Sequence, residues 1–363
     1  MKENRTNVAL FKFADVWGGG EIYTKKLCEE LPHHGFHVTL VTNFQGFKNL
    51  NTNKIYYFER APDIKNKMSA AINFLRFPID FCRYILLAKK LQKNNVKIAM
   101  LQDLNEKLIL PPIFYRYGIK TVFIEHTSWE PSLVEHPLFF ILKKNCRFIS
   151  KIIVPSHYLF RQIKKSGSFA SKVIVINHGT NKKIPFYASK KTRLVTVARL
   201  SPEKNLENAI VAMKHISNHT KLIIIGDGTE KKYLLDLTRK LGVDKKVSFL
   251  GYKEKPYDYI SKNDIYISTS SIENFPISIL EALSAGLPII APKIGGIPDI
   301  IKDKENGFLY TQNNNIELVK KIDELLSNST LLASMRRNNV NLFRKKYSAE
   351  KMLRNTVNVL KKL

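Results

Sequence analysis

Cysteine is scarce in this sequence. The chain has 363 residues and three cysteines, Cys28, Cys82 and Cys146, which lie far apart. No pair forms a CxxC motif or a metal knuckle, and an odd number argues against a disulfide framework. The composition therefore excludes a disulfide-rich secreted domain and favours a reducing, cytosolic compartment.

Long apolar segments are also missing. The longest stretch without Asp, Glu, Lys or Arg is Leu31–Phe47, and it contains three histidines. It is shorter than the roughly 18 apolar residues that a membrane span needs. Residues 1–16 are too polar for a signal peptide. We therefore expect a cytoplasmic protein, either free or attached peripherally to the inner face of the membrane.

Acidic residues are few relative to basic ones. Lys and Arg number 59 against 31 Asp and Glu, which gives a formal net charge of +28. This excess favours an anionic partner: nucleic acid, an anionic membrane surface or a phosphorylated substrate. A general enrichment in lysine explains the charge equally well. Hydrophobic residues at 44% and charged residues at 25% are ordinary for a globular protein, so wholesale disorder is excluded.

Two segments combine aromatic with basic residues, Lys65–Asn95 and Leu138–Ile149. Helices of this composition lie on anionic lipid in some proteins. The alternative is a helix that packs on the core and exposes a basic rim to water. Both interpretations remain open from the sequence.

Short β-branched and aromatic runs alternate with longer amphipathic stretches, which is the pattern of βαβ units. Several runs are continuously apolar, as in parallel strands that are buried on both faces. The predicted strands are Val8–Phe13, Val38–Asn43, Lys54–Glu59, Ile98–Gln102, Thr121–His126, Lys151–Ser156, Val173–His178, Arg193–Leu200, Lys221–Gly226, Val247–Gly251, Ile265–Ser270, Pro288–Pro292 and Phe308–Thr311.

The polar stretch Gly179–Thr192 separates two such series. We expect an α/β protein of two facing Rossmann-like domains, residues 1–183 and 184–347, with a cleft between them. A helix over 348–363 would pack back on the first domain. Open parallel sheets bind ligands beyond the carboxyl ends of their strands, so the shared cleft is the expected site.

A glycine cluster follows the first predicted strand. Gly18, Gly19 and Gly20 lie between Trp17 and Glu21, directly before the helical pattern of Ile22–Leu31. Glycines allow a ligand to approach the backbone, and a helix N-terminus offers N–H groups to an anion. The motif is not the GxGxxG dinucleotide fingerprint, and a plain strand-to-helix turn would look similar.

A basic pair, Arg199 and Lys204, lies at the carboxyl end of the first strand of the second half. A guanidinium and an ammonium around a Ser-Pro turn can hold a diphosphate from two sides. Taken alone, such a pair is more often a solvated surface feature.

The segment Ser270–Pro288 favours a diphosphate-binding role for this basic pair over a solvated surface feature. We expect Pro276 to be the first residue of a helix and Gly286 to end it. Glu273 would precede this helix and Glu281 would lie about a turn and a half inside it. A diphosphate at the helix N-terminus would then have a carboxylate on either side, each able to accept hydrogen bonds from sugar hydroxyls.

Taken together, these motifs resemble glycosyltransferase family 4, whose members are retaining nucleotide-sugar enzymes of the GT-B fold. The resemblance rests on the spacing Glu273…Glu281, the pair Arg199 and Lys204, Gly18-Gly19, and the segments Ile225–Gly228 and Gly295–Asp299. It runs nearly end to end and is strongest over Val173–Leu309. His178 stands where the family often has Asn, and Asp299 where Glu is more usual.

The resemblance implies a role for each motif. Arg199 and Lys204 contact the donor diphosphate. Glu273 and the backbone that follows it meet the donor sugar, and Glu281 meets the ribose. The nucleobase lies near Gly251 and Tyr252. The donor-binding residues implied in this way are Gly18, Gly19, Gly20, Arg199, Lys204, Gly226, Tyr252, Glu273, Asn274, Phe275, Pro276, Ile277 and Glu281.

His126 ends the strand Thr121–His126 and matches the histidine that the family places beside the reacting sugar. With Glu273, Arg199 and Lys204 it completes the implied catalytic group. The expected reaction moves a sugar from a UDP- or GDP-sugar to a carbohydrate or lipid-linked acceptor, in the synthesis of a cell-surface polysaccharide, lipopolysaccharide or glycolipid. We expect no metal and no cofactor, because fixed cations replace the metal.

Two other functions fit parts of the sequence. A sugar-nucleotide epimerase or a phosphorylase uses the same two-sheet scaffold. A basic nucleic-acid binder would fit the charge, but aromatic–basic motifs of the RRM or OB type are not found, so we expect no nucleic acid.

Overall fold

The computed structural model describes residues 5–15, 17–59, 67–126, 137–167, 169–185, 187, 189, 191–217 and 219–363, without the side chains of 67–75 and 137. The chain forms two compact units. The N-terminal unit comprises Met1–Ile176 and Leu353–Leu363, and the C-terminal unit comprises Asn177–Met352. The division falls between Ile176 and Asn177, whereas the sequence places it at Lys183.

The N-terminal unit is built on a seven-stranded parallel sheet in the order β3-β2-β1-β4-β5-β6-β7. Its strands are β1 Thr6–Phe11, β2 Phe36–Thr42, β3 Lys54–Tyr57, β4 Val96–Leu101, β5 Lys120–Ile124, β6 Lys151–Val154 and β7 Val173–Val175. Its helices are α1 Gly19–Glu30, α2 Lys67–Lys93, α3 Leu104–Arg116, α4 Pro137–Asn145 and α5 His157–Ser166.

The C-terminal unit has a six-stranded parallel sheet in the order β10-β9-β8-β11-β12-β13. Its strands are β8 Leu194–Val197, β9 Leu222–Ile225, β10 Val247–Phe249, β11 Ile265–Ile267, β12 Ile289–Pro292 and β13 Gly307–Tyr310. Its helices are α6 Leu206–Ala212, α7 Lys231–Lys240, α8 Ile277–Ser284, α9 Ile297–Ile300, α10 Asn315–Ser327 and α11 Ser329–Leu342. The last helix, α12 Ala349–Lys361, begins here and continues into the N-terminal unit from Leu353.

The central strands of both sheets are apolar on both faces because helices cover both. In β9 every residue is buried, and so is every residue of β12. In the C-terminal unit this produces one hydrophobic core on each side of the sheet. The α/β fold of two Rossmann-like units is therefore confirmed.

Each of the thirteen predicted strands occurs among the described residues, but most end earlier than predicted. The predicted strand Arg193–Leu200 is observed as Leu194–Val197, and Ile265–Ser270 as Ile265–Ile267. The residues beyond these ends leave the hydrogen-bonded ladder and form loops. Those loops contain the predicted site residues.

The order of the strands reverses at one point in each sheet. In the N-terminal unit β1 lies between β2 and β4, and in the C-terminal unit β8 lies between β9 and β11. The loops after these neighbouring strands diverge to opposite faces, which leaves a crevice at the carboxyl edge. The glycine cluster follows β1, and Arg199 and Lys204 follow β8.

Helix α8 corrects one prediction. Pro276 has an extended backbone (φ −72°, ψ 116°) and caps the helix, so the first helical residue is Ile277. An extended conformation is normal at an N-cap. Gly286 has φ +73° directly after the C-cap residue Ala285, which confirms that it ends the helix.

None of the helices in the described part of the chain combines the length and the hydrophobicity that crossing a bilayer requires.

A pair of glycines in the C-terminal unit allows a matched stability test. Gly295 and Gly242 both have positive φ, +50° and +65°. A Cβ on Gly295 would overlap the carbonyl oxygen of Glu273, whereas nothing lies within 4 Å of a Cβ on Gly242. We expect Gly242→Ala to cost about 1 kcal/mol from backbone strain alone. We expect Gly295→Ala to cost about 1–3 kcal/mol more because of the overlap. Urea unfolding of the two variants tests this, and equal midpoints would contradict it.

Candidate active site

The loops after β8 and β11 meet at the switch point of the C-terminal sheet. Arg199 lies just beyond β8 and is exposed, and Lys204 ends the short helical turn Pro202–Lys204. The amide of Ser271 donates to the carbonyl of Glu203 at 2.8 Å, and the Thr269 hydroxyl donates to the carbonyl of Lys204 at 3.1 Å. These bonds tie the two loops together.

The central contact of this site joins Lys204 to Glu273. The Lys204 Nζ lies 2.6 Å from Glu273 Oε1, and the Ser270 hydroxyl donates to the same oxygen at 3.0 Å. Both charged side chains are largely buried, with 25% and 12% of their surfaces exposed. The structure thus brings together two of the predicted residues that are far apart in the sequence.

The backbone of Glu273 is held by the segment before α9. The amide of Gly296 donates to the Glu273 carbonyl at 3.2 Å, and Gly295 lies directly against that carbonyl. A side chain at Gly295 would push this loop away. Close packing against the Glu273 carbonyl therefore explains why two glycines begin the Gly295–Asp299 motif.

The loop from Glu273 into α8 is anchored by Phe275. Its buried ring lies 5.9 Å from the ring of His178 and 5.9 Å from that of Tyr347. Burial lowers the pKa of His178 to about 4, so this imidazole is neutral at physiological pH. Asn274 is half-buried, Pro276 caps α8, and the half-buried Ile277 begins it. Glu273 thus lies in the loop just before α8. The first N–H groups of this helix point out of its N-terminal end, because they have no partner within the helix.

Glu281 is the fifth residue of α8, and it forms an ion pair with Lys183. Their charged groups are 3.2 Å apart, and 19% of the Glu281 side chain is exposed. Burial raises the pKa of Glu281 above its ordinary value, although the charge and hydrogen bond of Lys183 act in the opposite direction. The amide of Lys183 also donates to the Ser284 hydroxyl at 3.0 Å, which fixes the lysine against this helix.

Sequence reasoning missed Lys183. It used this lysine only to mark a domain boundary. No local motif links it to Glu281, and only the pairing of residues in space could have found it.

Gly226 brings three loops of this unit together. Its φ is +147°, and a Cβ there would overlap the carbonyl oxygen of Ala198, next to Arg199. Its amide donates to the carbonyl of Gly251 at 2.9 Å. The neighbouring Tyr252 is 75% exposed. The predicted diphosphate and nucleobase residues thus share one edge of the sheet.

In the N-terminal unit the glycine cluster begins α1. Gly18 caps the helix in an extended conformation, and Gly19 and Gly20 are its first residues. A Cβ on Gly20 would lie 3.3 Å from Lys12 Cε and 3.6 Å from His126 Cδ2. The glycine therefore lets α1 approach the ends of β1 and β5.

His126 is oriented by polar and aromatic neighbours. Its Nε2 lies 3.0 Å from Gln102 Oε1, and Gln102 donates to the Thr24 hydroxyl at 2.8 Å. Because an amide oxygen only accepts, this contact places the imidazole proton on Nε2. The Tyr23 ring meets the imidazole edge-on at 5.2 Å.

A buried ion cluster lies beside Gly20, and sequence reasoning missed it. The Lys12 Nζ lies 2.8 Å from Asp103 and 3.2 Å from Glu21. Burial alone would lower the pKa of Lys12, but the two carboxylates outweigh it and raise this pKa. The amide of Phe13 donates to Asp103 Oδ2 at 2.8 Å. The cluster joins the ends of β1 and β4 to the first turn of α1.

Two parallel-sheet units of this kind, each with polar loops at its switch point, define the GT-B class of α/β proteins. The family model described as "Glycosyltransferase Family 4" matches residues 17–183, and "Glycosyl transferases group 1" matches residues 178–341. The chain belongs to glycosyltransferase family 4. The predicted roles of its individual residues towards a ligand stay predictions.

Similar proteins agree with this assignment. An uncharacterised glycosyltransferase of Methanocaldococcus jannaschii is 34% identical over 46% of this chain and 44% of its own length. The amylovoran biosynthesis glycosyltransferase AmsD of Erwinia amylovora is 24% identical over 86% of this chain and 88% of its own. This chain therefore spans less than half the length of the Methanocaldococcus jannaschii relative that it matches.

The crystal structure of HepE of Anabaena in complex with UDP covers 99% of this chain and 100% of its own, with a TM-score of 0.84 and 18% identity. At that identity the likeness concerns the fold, which it places in the GT-B class.

The raised pKa of Glu281 has a consequence for stability. A carboxyl whose folded pKa is raised destabilises the folded state when it ionises, so stability falls as the pH rises from 4.5 through that pKa. We expect Glu281→Gln to raise the urea midpoint of the unliganded protein at neutral pH. The gain should shrink below pH 4.5, where the native carboxyl is itself protonated.

Glu317 gives the opposite control. Its carboxylate accepts from the Thr311 amide at 2.7 Å, and this bond lowers its pKa. Its stabilising contribution is present above the unfolded pKa and is lost as the pH falls through the folded one. We therefore expect Glu317→Gln to lower the midpoint at neutral pH. Changes of the same sign in both variants would argue against these assignments.

Proposed function

We propose that this protein transfers a sugar from a nucleotide diphosphate donor to a hydroxyl group of its acceptor, with retention at the anomeric carbon. The observation that carries the proposal is the contact between Lys204 and Glu273 at the switch point of the C-terminal sheet, beside the exposed Arg199. A cation and a helix N-terminus there match the diphosphate of such a donor, and a carboxylate matches its sugar hydroxyls.

The pairing of Lys204 with Glu273 suits a site that awaits an anion. In the described structure the carboxylate balances the lysine charge. A diphosphate would compete for the lysine, and the freed Glu273 oxygen would accept from a sugar hydroxyl. Ser270 would keep the carboxylate in place during this exchange, since it donates to the same oxygen.

The chemical step requires stabilisation of the negative charge that develops on the leaving diphosphate. As the bond between the anomeric carbon and the phosphate oxygen breaks, its electron pair stays with the diphosphate. Arg199, Lys204 and the N–H groups at the start of α8 stabilise this charge because they are oriented before the reaction. These fixed positive groups take the part that a metal ion plays in other transferases.

Retention follows if the acceptor attacks from the face that the diphosphate leaves. The acceptor oxygen then bonds to the anomeric carbon, and its proton passes to the departing phosphate oxygen. His126 lies at the carboxyl edge of the N-terminal sheet, held by Gln102 with its proton on Nε2. We propose that the His126 imidazole, held in this orientation, lies beside the reacting sugar.

The donor class is supported by a structural neighbour. HepE was crystallised with UDP and with UDP-glucose, which favours a uridine nucleotide over the GDP alternative. AmsD is named for amylovoran biosynthesis, which favours a role in building a cell-surface polysaccharide, lipopolysaccharide or glycolipid. The acceptor would be a carbohydrate or a lipid-linked carbohydrate.

The cationic residues are tested by substitution. We expect Arg199→Ala and Lys204→Ala to lower donor turnover by about 10²–10³, the usual cost of removing one group that stabilises transition-state charge. Arg199 is exposed, so its variant should keep the native melting temperature. Turnover and thermal shift with UDP-, GDP- and ADP-sugars measure the effect. Lys214→Ala, an exposed lysine of the same unit, should change neither. Near-normal turnover in Arg199→Ala would remove this residue from the site.

We also propose that the N-terminal unit docks on anionic lipid. Helices α2 and α4 both contact α3. The exposed apolar side chains on these three helices are Phe77, Ile79, Phe81, Leu86, Tyr115, Phe140 and Ile141. Exposed lysines such as Lys143 and Lys144 accompany them. Residues 65–66 and the side chains of 67–75 of the predicted segment lie outside the described residues. Apolar groups with a basic rim favour an anionic bilayer surface.

Vesicle sedimentation tests this surface. We expect the protein to pellet with anionic vesicles at low salt and to stay in solution with neutral ones. Phe140→Ser, which replaces a 70% exposed ring, should reduce the pelleted fraction. Ile316→Ser, an 85% exposed residue of the other unit, is the control and should not. Equal recovery with both kinds of vesicle would rule the surface out.

A further inference from the structure

An exposed tryptophan precedes the glycine cluster. Trp17 lies in the loop between β1 and α1, directly before Gly18, and 46% of it is exposed. Large apolar side chains at a carboxyl edge of a parallel sheet are accessible to a ligand there. No role proposed above for the donor site in the C-terminal unit uses this side chain.

The indole packs against two phenylalanines. Its ring lies 5.3 Å from Phe44 at 77° and 5.4 Å from Phe47 at 83°. The two phenylalanine rings are themselves 5.2 Å apart and perpendicular, and both are buried. Edge-on arrangements of this kind are the favourable ones between aromatic rings. Trp17 therefore loses little freedom when something binds to its exposed surface.

Gly46 shows how closely this cluster is packed. A Cβ on Gly46 would overlap the Phe44 ring and would lie 3.1 Å from Trp17 Nε1. The turn after β2 thus needs a glycine so that the three rings can meet. We call Trp17, Phe44 and Phe47 the aromatic platform.

Polar residues adjoin the platform in sequence. Asn43, Gln45 and Lys48 flank the two phenylalanines in sequence and are exposed. Trp17 also lies three residues before Gly20, a span of at most about 10 Å. A Cβ on Gly20 would lie 3.6 Å from His126 Cδ2. The platform is therefore near the histidine to which the proposed function assigns the reacting sugar.

We propose that Trp17 is a subsite for a pyranose ring of the acceptor, so that the acceptor is itself a carbohydrate chain or glycolipid headgroup. This inference rests on the proposed function, because only a transfer reaction has an acceptor. One face of a pyranose presents C–H groups with partial positive charge, and the face of an indole is negative. The ring hydroxyls at its edge can bond to the amides of Asn43 and Gln45.

A purely structural role predicts something different. If Trp17 only covers Phe44 and Phe47, any apolar side chain of similar size should serve, and no sugar should sense the indole. The two roles are separated by replacing the aromatic face while keeping the apolar cover.

Fluorescence provides the first test, because the chain has two tryptophans, Trp17 and Trp129. In the full-length Trp129→Phe variant the indole emission comes from Trp17 alone. We expect a saturable change when methyl pyranosides of glucose, galactose, mannose and N-acetylglucosamine are titrated. Sorbitol, which has the hydroxyls without the ring, should cause none. If no pyranoside gives a saturable change, or if sorbitol gives the same one, the subsite does not exist.

Substitution provides the second test. With octyl glycosides of the same sugars as acceptors, Trp17→Leu should raise the acceptor KM about tenfold, a loss of about 1.4 kcal/mol. Trp17→Phe should raise it less because it keeps a π face. The donor KM and the slow hydrolysis of the donor by water should not change in either variant. Equal KM values for Leu and Phe, or a loss that follows the melting temperature, would leave only a covering role and overturn the proposal.

The two tests separate this inference from the proposed function. If pyranosides perturb Trp17 but no nucleotide sugar binds or is hydrolysed, the sugar subsite stands and the transfer reaction is wrong. If nucleotide sugars bind and are hydrolysed but Trp17 is silent, the donor site stands and the subsite is wrong.

Discussion

A parallel sheet brings the carboxyl ends of all its strands to one edge, and this constraint determines where the polar residues of both units lie. At the reversal of strand order the loops after two neighbouring strands turn to opposite faces and leave space between them. Lys204 and Glu273 come from two such loops in the C-terminal unit, and Lys12 and Asp103 from two in the N-terminal unit. The same geometry thus places a lysine–carboxylate pair at the switch point of each sheet.

The loops at these edges come close because certain residues have no side chain. Gly226 touches the strand end at Ala198, Gly295 lies against Glu273, and Gly20 lies over Lys12 and His126. The first two also have positive φ, which other residues adopt only with strain. Gly46 likewise allows the rings of the aromatic platform to meet, because a Cβ there would overlap the Phe44 ring. Close backbone approach at these glycines therefore shapes the candidate site.

Burial affects the charges of Lys12 and Glu281 differently. Lys12 stays protonated because two carboxylates surround it. Glu281 is less well compensated, since burial raises its pKa despite Lys183. A carboxylate whose charge is incompletely compensated lowers the stability of the folded protein when it ionises. The neutral His178 packs on Phe275 in the loop that follows Glu273.

The sequence by itself determined the thirteen strands, the α/β class and the helix end at Gly286, because each depends on a local pattern of apolar residues, proline and glycine. It also pointed to Glu273, Glu281, Arg199 and Lys204 through their positions after predicted strands and around a predicted helix start, and the family resemblance implied their roles. It misplaced Pro276 by one residue, since N-cap and first helical residue differ only in backbone angles. Only the tertiary structure decided the partners: Lys204 with Glu273, Lys183 with Glu281, Lys12 with Asp103, and Gln102 with His126. Each pair joins segments that follow different strands, and no local pattern specifies the order of strands in a sheet, which sets which loops become neighbours.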